Sequence, residues 1–594
     1  MKLSWLLALG AGLGLHGVFA ATKSYTLTIS QATIAPDGFS RLGYVINGQY
    51  PGPTITANTG DTLSIKVINN LTEPTGMHWH GMYQRGTPWN DTQCPIPAGE
   101  SYTYTFSTAN QSGTYWYHSH YMSQYVDGIV GALIIENPSN PGPLPYDEEI
   151  TIPLSDWYHT DSADLLSHYL SRASKGEEPS PDNALISGTG SNGCTGYVPP
   201  GTPCNANAST INFTFTPGKR YKLRLINTSA FGNFWFSIDN HTLAVVEADG
   251  TDLTPQYVHR LPINVGQRYS VIVTANQKHQ NYYMRAQMDQ ACLDLGEVIA
   301  KESLALAPVV YAGGSKSFNN SVDWSDQLVD CQDLDYTVLR PYQKQAAPTA
   351  AEQITISWDF HGDPVTNINR AFINNVSYVA NFSYPTIFNE YYKKPQLSTD
   401  QLIIRPNTSD YVEVLLINND QNEHPFHFHG HTFYILGWGN ETYDDAKDRP
   451  KFNTANPLRR DTSTVPGGGW TVFRYKADNT GVWALHCHIE WHVEAGLLVQ
   501  MEDESWNIPK LAVPQSALAL CPAGEYSSPS KTSTKVTKVS STKASSTKTT
   551  KASSTKTTKA ASSTTKAAAT KRSVPISFKD AHRKRNIHIG RRML

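Results

Sequence analysis

Four pairs of histidines constrain this chain more than any other feature. His78 and His80, His118 and His120, His427 and His429, and His486 and His488 each stand two residues apart. In a β-strand, side chains at i and i+2 project from the same face. Each pair therefore sets two imidazoles side by side wherever the backbone is extended. The flanking residues favour extension, as in Met77-His78-Trp79-His80, Trp116-Tyr117-His118 and Gly481-Val482-Trp483-Ala484-Leu485. Unrelated packing histidines would not fall into four such pairs, so eight imidazoles at this spacing point to shared metal sites.

The last pair encloses Cys487, which points to the opposite face of its strand. A soft thiolate with two imidazoles and a weak axial neighbour is the donor set of a blue-copper electron-transfer site. His424 and His492 lie outside the pairs and complete that set with Cys487. The eight paired imidazoles suffice for three further coppers. A single backbone step from Cys487 to His486 or His488 would then join an electron-accepting copper to a second metal centre.

A chain of 594 residues suggests three or four domains. Met1-Lys2 and the apolar run to Ala20 predict a signal peptide over residues 1–20, and hence a secreted, extracellular or cell-wall protein. No other run is apolar enough to span a bilayer. Six of the seven cysteines remain after Cys487, an even number that predicts three disulfides in an oxidising compartment. Cys194 and Cys204 are close in a Gly/Pro-rich loop and are expected to pair. Twelve Asn-x-Ser/Thr sequons predict a glycoprotein. From Lys531 onward there are 17 basic residues and one acid, so the preceding chain carries 31 basic and 50 acidic residues, a net of −19. So acidic a body argues against nucleic acid as a partner.

Alternating strands such as Tyr25–Ile29, Thr62–Ile68, Tyr221–Asn227 and Tyr269–Thr274, separated by turn chemistry such as Asn47-Gly48, predict an all-β sandwich or barrel architecture. Domain 1 is placed at 21–145, domain 2 at 146–310, a connecting loop at 311–350 and domain 3 at 351–525, with a short helix within Asp161–Ser174. Domain 2 has no histidine pair. The Ser/Thr/Lys-rich segment 526–594 cannot bury a core and reads as a disordered basic tail, with Lys571-Arg572 a candidate processing site.

The four histidine motifs resemble those of the multicopper oxidases, the family of laccases, ascorbate oxidases and fungal ferroxidases, over about residues 25 to 525. The resemblance implies three consecutive cupredoxin-like domains and four copper ions. Carried over by motif, His424, Cys487 and His492 hold type 1 copper; His78 and His427 hold type 2; His80, His118, His120, His429, His486 and His488 hold the type 3 pair. Leu497 occupies the axial position and cannot ligate, which resembles higher-potential members. The resemblance also pairs Cys94 with Cys521, leaving Cys292 with Cys331.

Asp91 and Glu490 resemble the acids that deliver protons for O2 reduction. His492 resembles the electron entry point. Alignment puts Phe231 where laccase-like members carry a substrate-binding carboxylate, and Thr214 where ferroxidases carry a glutamate. Asp420 and Tyr443-Asp444-Asp445 match ferroxidases. The resemblance favours a secreted, monomeric laccase-like oxidase of phenolic or naphtholic donors, such as pigment or melanin precursors, with O2 as acceptor. A ferroxidase acting on Fe(II), an ascorbate oxidase and a non-catalytic copper-binding protein are the alternatives.

Overall fold

The computed structural model describes residues 20–91, 94–191, 194, 201–293, 302–383, 385–393 and 398–521. The expected signal peptide, apart from residue 20, and the expected basic tail lie outside the described residues.

The chain is mostly β and builds three cupredoxin-like domains, each from two packed sheets. Their strand orders repeat. The five-stranded sheet of the third domain runs Ile403–Ile404, Leu498–Asp503, Gly481–Cys487, His424–Phe428, Thr462–Val465. That of the second runs Phe213–Phe215, Leu304–Tyr311, Asn281–Met288, Phe234–Ile238, Arg260–Ile263, the same topology. In the first domain the equivalent sheet is Gly52–Asn58, Val130–Glu136, Gly113–Ser119, Met77–His80.

This repeat explains the spacing of the histidine motifs. The antiparallel pair Met77–His80 and Gly113–Ser119 sets His78 opposite His118. The equivalent pair in the third domain sets His427 opposite His486. In the second domain the same two strands carry Phe234, Phe236, Met284 and Met288, all fully buried, so that position is filled by apolar core. One topology thus holds donors in the outer domains and hydrocarbon in the middle one.

Alternation is clean where one sheet face is wet: Ser101–Ser107 reads exposed–buried throughout. It vanishes in Val130–Ile135 and Gly481–Cys487, which are buried on both faces. The helix expected near Asp161 spans Ser162–Tyr169; the Asp161 carboxylate caps it by accepting from the Ala163 N–H. Cys94–Cys521, Cys194–Cys204 and Cys292–Cys331 are bonded as expected, and Cys487 is the one free cysteine among the described residues. Two sequon asparagines, Asn90 and Asn227, are buried and spend their amides on internal hydrogen bonds, so the folded chain offers neither as a glycan acceptor. No described helix is long and apolar enough to cross a membrane.

Candidate metal centre

The four histidine pairs converge at the contact of the first and third domains. His78 stacks on His429 with ring centroids 3.7 Å apart, and His80 stacks on His427 at 3.6 Å. Ring nitrogens face one another: His78 Nε2 and His427 Nε2 are 3.2 Å apart, His429 Nε2 and His486 Nε2 3.0 Å, and His80 Nδ1 and His488 Nε2 3.2 Å. His120 Nε2 lies 3.5 Å from His486 Nε2. The eight rings form one continuous cluster of overlapping donor groups: His78 with His427 and His429, His120 with His429 and His486, and His78 with His80 and His118, each bringing its three ligand atoms within 4.8 Å of one another. The His118 and His488 ring centroids lie 5.3 Å apart.

The rings are aimed from behind. Asp91 is fully buried between two domains and bridges them, with Oδ1 2.7 Å from His78 Nδ1 and Oδ2 2.7 Å from His429 Nδ1. A ring that donates its Nδ1–H to a carboxylate presents a bare Nε2 lone pair on its other side. Backbone carbonyls do the same for His118 and His486, whose Nδ1 atoms lie 2.8 Å from the oxygens of Ser119 and Cys487. Burial, and then the neighbouring imidazoles, hold His78, His118 and His486 well below the ordinary imidazole range. His120 is brought down to about 3 for the same reasons. These rings are neutral at any physiological pH, the state that ligates.

Cys487 ends its strand on the far side of the same backbone. Its Sγ lies 3.6 Å from His424 Nδ1 and 3.6 Å from His492 Nδ1, and the two nitrogens are 3.1 Å apart. With bonds of about 2.0 Å to nitrogen and 2.3 Å to sulfur, those separations describe a near-trigonal triangle of ligands. Leu497 is fully buried in the same cluster, and its carbonyl accepts from the Cys487 N–H at 3.1 Å. A leucine side chain brings no donor atom to the site.

The outward nitrogens of this triangle meet carboxylates. His424 Nε2 is 3.2 Å from Asp420, whose side chain is 26% exposed. His492 Nε2 is 3.3 Å from Glu178, whose side chain is 10% exposed. Phe231 lies beside His492, with centroids 6.2 Å apart, on a loop whose N–H groups at Ala230, Phe231 and Gly232 donate to Asp156. Sequence alignment left the second domain with no carboxylate at this entrance, and the fold supplies one from elsewhere in that domain. Glu178 sits in the loop Gly176-Glu177-Glu178-Pro179, with neither periodicity nor a motif to single it out.

Glu490 opens the short helix Glu490–Glu494 and is buried, with Oε1 lacking any hydrogen-bond partner. Burial, and then the neighbouring Glu494, push its carboxyl well above the usual range. A cavity of 260 Å³ lined by Arg370, Glu494 and Gln500 reaches His120.

The donor set fits copper. His118 Nε2 is buried without a partner, as an open ligand atom would be. Burial raises the Cys487 thiol well above its usual range, so only a bound cation would make it a thiolate. The mixture of one thiolate and imidazoles is that of copper proteins.

Comparison with known proteins gives the same answer. Three multicopper oxidase family profiles match residues 28–140, 148–307 and 373–505. Laccase-1 of Cryptococcus neoformans var. neoformans serotype D is 35% identical over 562 residues, covering 87% of each chain. The crystal structure of a laccase from Botrytis aclada is 32% identical, with a TM-score of 0.77 over 84% of this chain and 90% of that one. That of a multicopper oxidase that functions in iron import is also 32% identical, with a TM-score of 0.72 over 84% and 94%.

Proposed function

We propose, for a chain that belongs to the multicopper oxidase family and is a copper-dependent oxidoreductase using O2, that it is a secreted laccase-like oxidase of small aromatic donors. His424, Cys487 and His492 would hold type 1 copper, His78 and His427 type 2, and the remaining six paired histidines the type 3 pair, four ions in all. The observation that carries this reading is the convergence of eight paired imidazoles from two domains behind one Cys487-centred triangle. When bound, copper supplies the one-electron chemistry and the reduction of O2 to two waters.

The chain supplies the path and the protons. His492 is the edge nearest the surface at which a donor would give up an electron. Cys487 is bonded through the backbone to His486 and His488, so the transfer path is covalent. The cavity that reaches His120 offers O2 a route to the cluster, and the buried, unpartnered carboxyl of Glu490 would deliver protons there. The apolar leader and the three disulfides support secretion.

The donor is inferred from the entrance. Phe231 and Phe360 flank the His492 ring, the latter at 5.0 Å, and suit an aromatic face. Glu178 is placed to accept the proton that a phenol or naphthol loses as it is oxidised. Pigment or melanin precursors belong to that class. A second reading has its own support: Glu178 and Asp420 bracket both type 1 imidazoles with carboxylate oxygens, which a hard Fe(II) ion would also use.

An oxygen electrode with a naphthol, a simple phenol and Fe(II) as donors decides between them. The expected result is faster turnover on the aromatic donors. A strong preference for Fe(II) that disappears in Asp420→Ala would replace this choice with a ferroxidase.

A further inference from the structure

We propose that Arg268, from the domain that supplies no metal ligand, is a positioning residue for the trinuclear ligands, acting through Asp461; this rests on the copper reading above.

The turn Asn264–Arg268 reaches into the cluster. At Gly266, which has φ +79°, a Cβ would lie 2.9 Å from the His488 ring and 3.2 Å from the His80 ring. Arg268 is fully buried behind it and grips Asp461 with two parallel bonds, Nη1 to Oδ1 and Nη2 to Oδ2, each 2.6 Å. The guanidinium is itself fixed: Nε donates to the Thr114 carbonyl at 3.0 Å, and Nη1 to the Gly266 carbonyl at 3.1 Å. Gly81, which follows the first histidine motif, makes room for the pair, since a Cβ there would stand 2.7 Å from both Arg268 Nη2 and Asp461 Oδ2.

Asp461 and Thr462 carry that grip to two ligands from different domains. The Asp461 carbonyl lies 3.0 Å from His427 Nδ1, and its Oδ1 3.3 Å from His80 Nε2. Asp461 Oδ1 also accepts from the Thr462 hydroxyl, whose Oγ1 is 3.2 Å from both His80 Nε2 and His427 Nδ1. His80 and His427 are the two rings stacked at 3.6 Å. Without Arg268, Asp461 would be a buried carboxylate lacking its cation, free to turn toward either ring. The bidentate fork fixes both its charge and its direction, which a single ammonium cannot do.

The test uses full-length Arg268→Gln and Arg268→Lys with copper quantification, the type 2 electron paramagnetic resonance spectrum, type 1 absorption and the KM for O2. Arg268→Gln should keep the type 1 blue band while retaining type 2 copper about 10–100-fold less well against a chelator. Arg268→Lys should show an altered type 2 spectrum with a smaller loss. A folded Arg268→Gln with native type 2 signal, copper content and KM for O2 would overturn the proposal. Should that variant not accumulate, Arg268→Lys decides: native type 2 signal and O2 kinetics there would overturn it equally, because the paired geometry is what is claimed. A wild-type enzyme with no type 2 signal would defeat the copper reading itself, and the inference with it.

Discussion

The triangle around Cys487 and the cluster behind it share one strand but are built by opposite means. His424, Cys487 and His492 come from a single domain, within 69 positions of one another. The eight clustered imidazoles come from two domains and close only when those domains dock. Behind the cluster, Asp91 and Asp461 are buried, and both carboxylates reach rings of both domains. In front of the triangle, Glu178 and Asp420 are partly exposed and face outward. On the function proposed above, the difference divides the labour: the inner carboxylates would aim ligands, while the outer ones would meet the donor.

The sharpest way to break this division is His488→Ala. It should abolish O2 reduction while the blue type 1 absorption survives; measurable O2 uptake in that variant would mean that the cluster does not depend on this ring. Asp91→Asn comes next. It removes the shared acceptor of two ligand rings, and copper retention or turnover should fall about 10–100-fold, measured by copper content and O2 uptake. Unchanged values would show that the docked domains alone aim the rings. Glu178→Gln should leave the cluster spectra untouched and lower kcat/KM on a phenol about a hundredfold, the lower end of the range for a lost proton acceptor. A donor with no proton to lose should be oxidised at the native rate, and equal losses on both donors would refute the base role. The smallest change is expected from Leu497→Met. An axial thioether favours Cu(II), so the type 1 potential should fall while four coppers and the blue colour remain; a redox titration that shows no fall would mean the side chain at 497 does not face the metal.

The candidate metal ligands are legible because ligation imposes local rules. Spacing of i, i+2 on an extended strand marks a shared face whatever the rest of the fold does, and Met77–His80 and Gly481–Cys487 are strands. Cys487 is distinguishable as the odd cysteine of a seven-cysteine chain whose apolar leader predicts secretion. Asp91 was picked out as a proton carrier, yet its place between His78 and His429 reveals an orienting contact. Glu178, Asp461 and Arg268 left no trace of this kind. Each is one charged residue in unremarkable surroundings, and its partner lies 314, 34 or 193 positions away.

What the sequence determined alone is the donor inventory: ten imidazoles and one thiol, their shared faces, and the β-rich chain to carry them. Periodicity and ligand chemistry act over a few residues, so they can be read in a line. Which ring faces which, what holds each from behind and which carboxylate guards the entrance were decided by the docking of three sheet pairs. Those contacts are set by packing between segments hundreds of residues apart, and no local pattern in the chain encodes them.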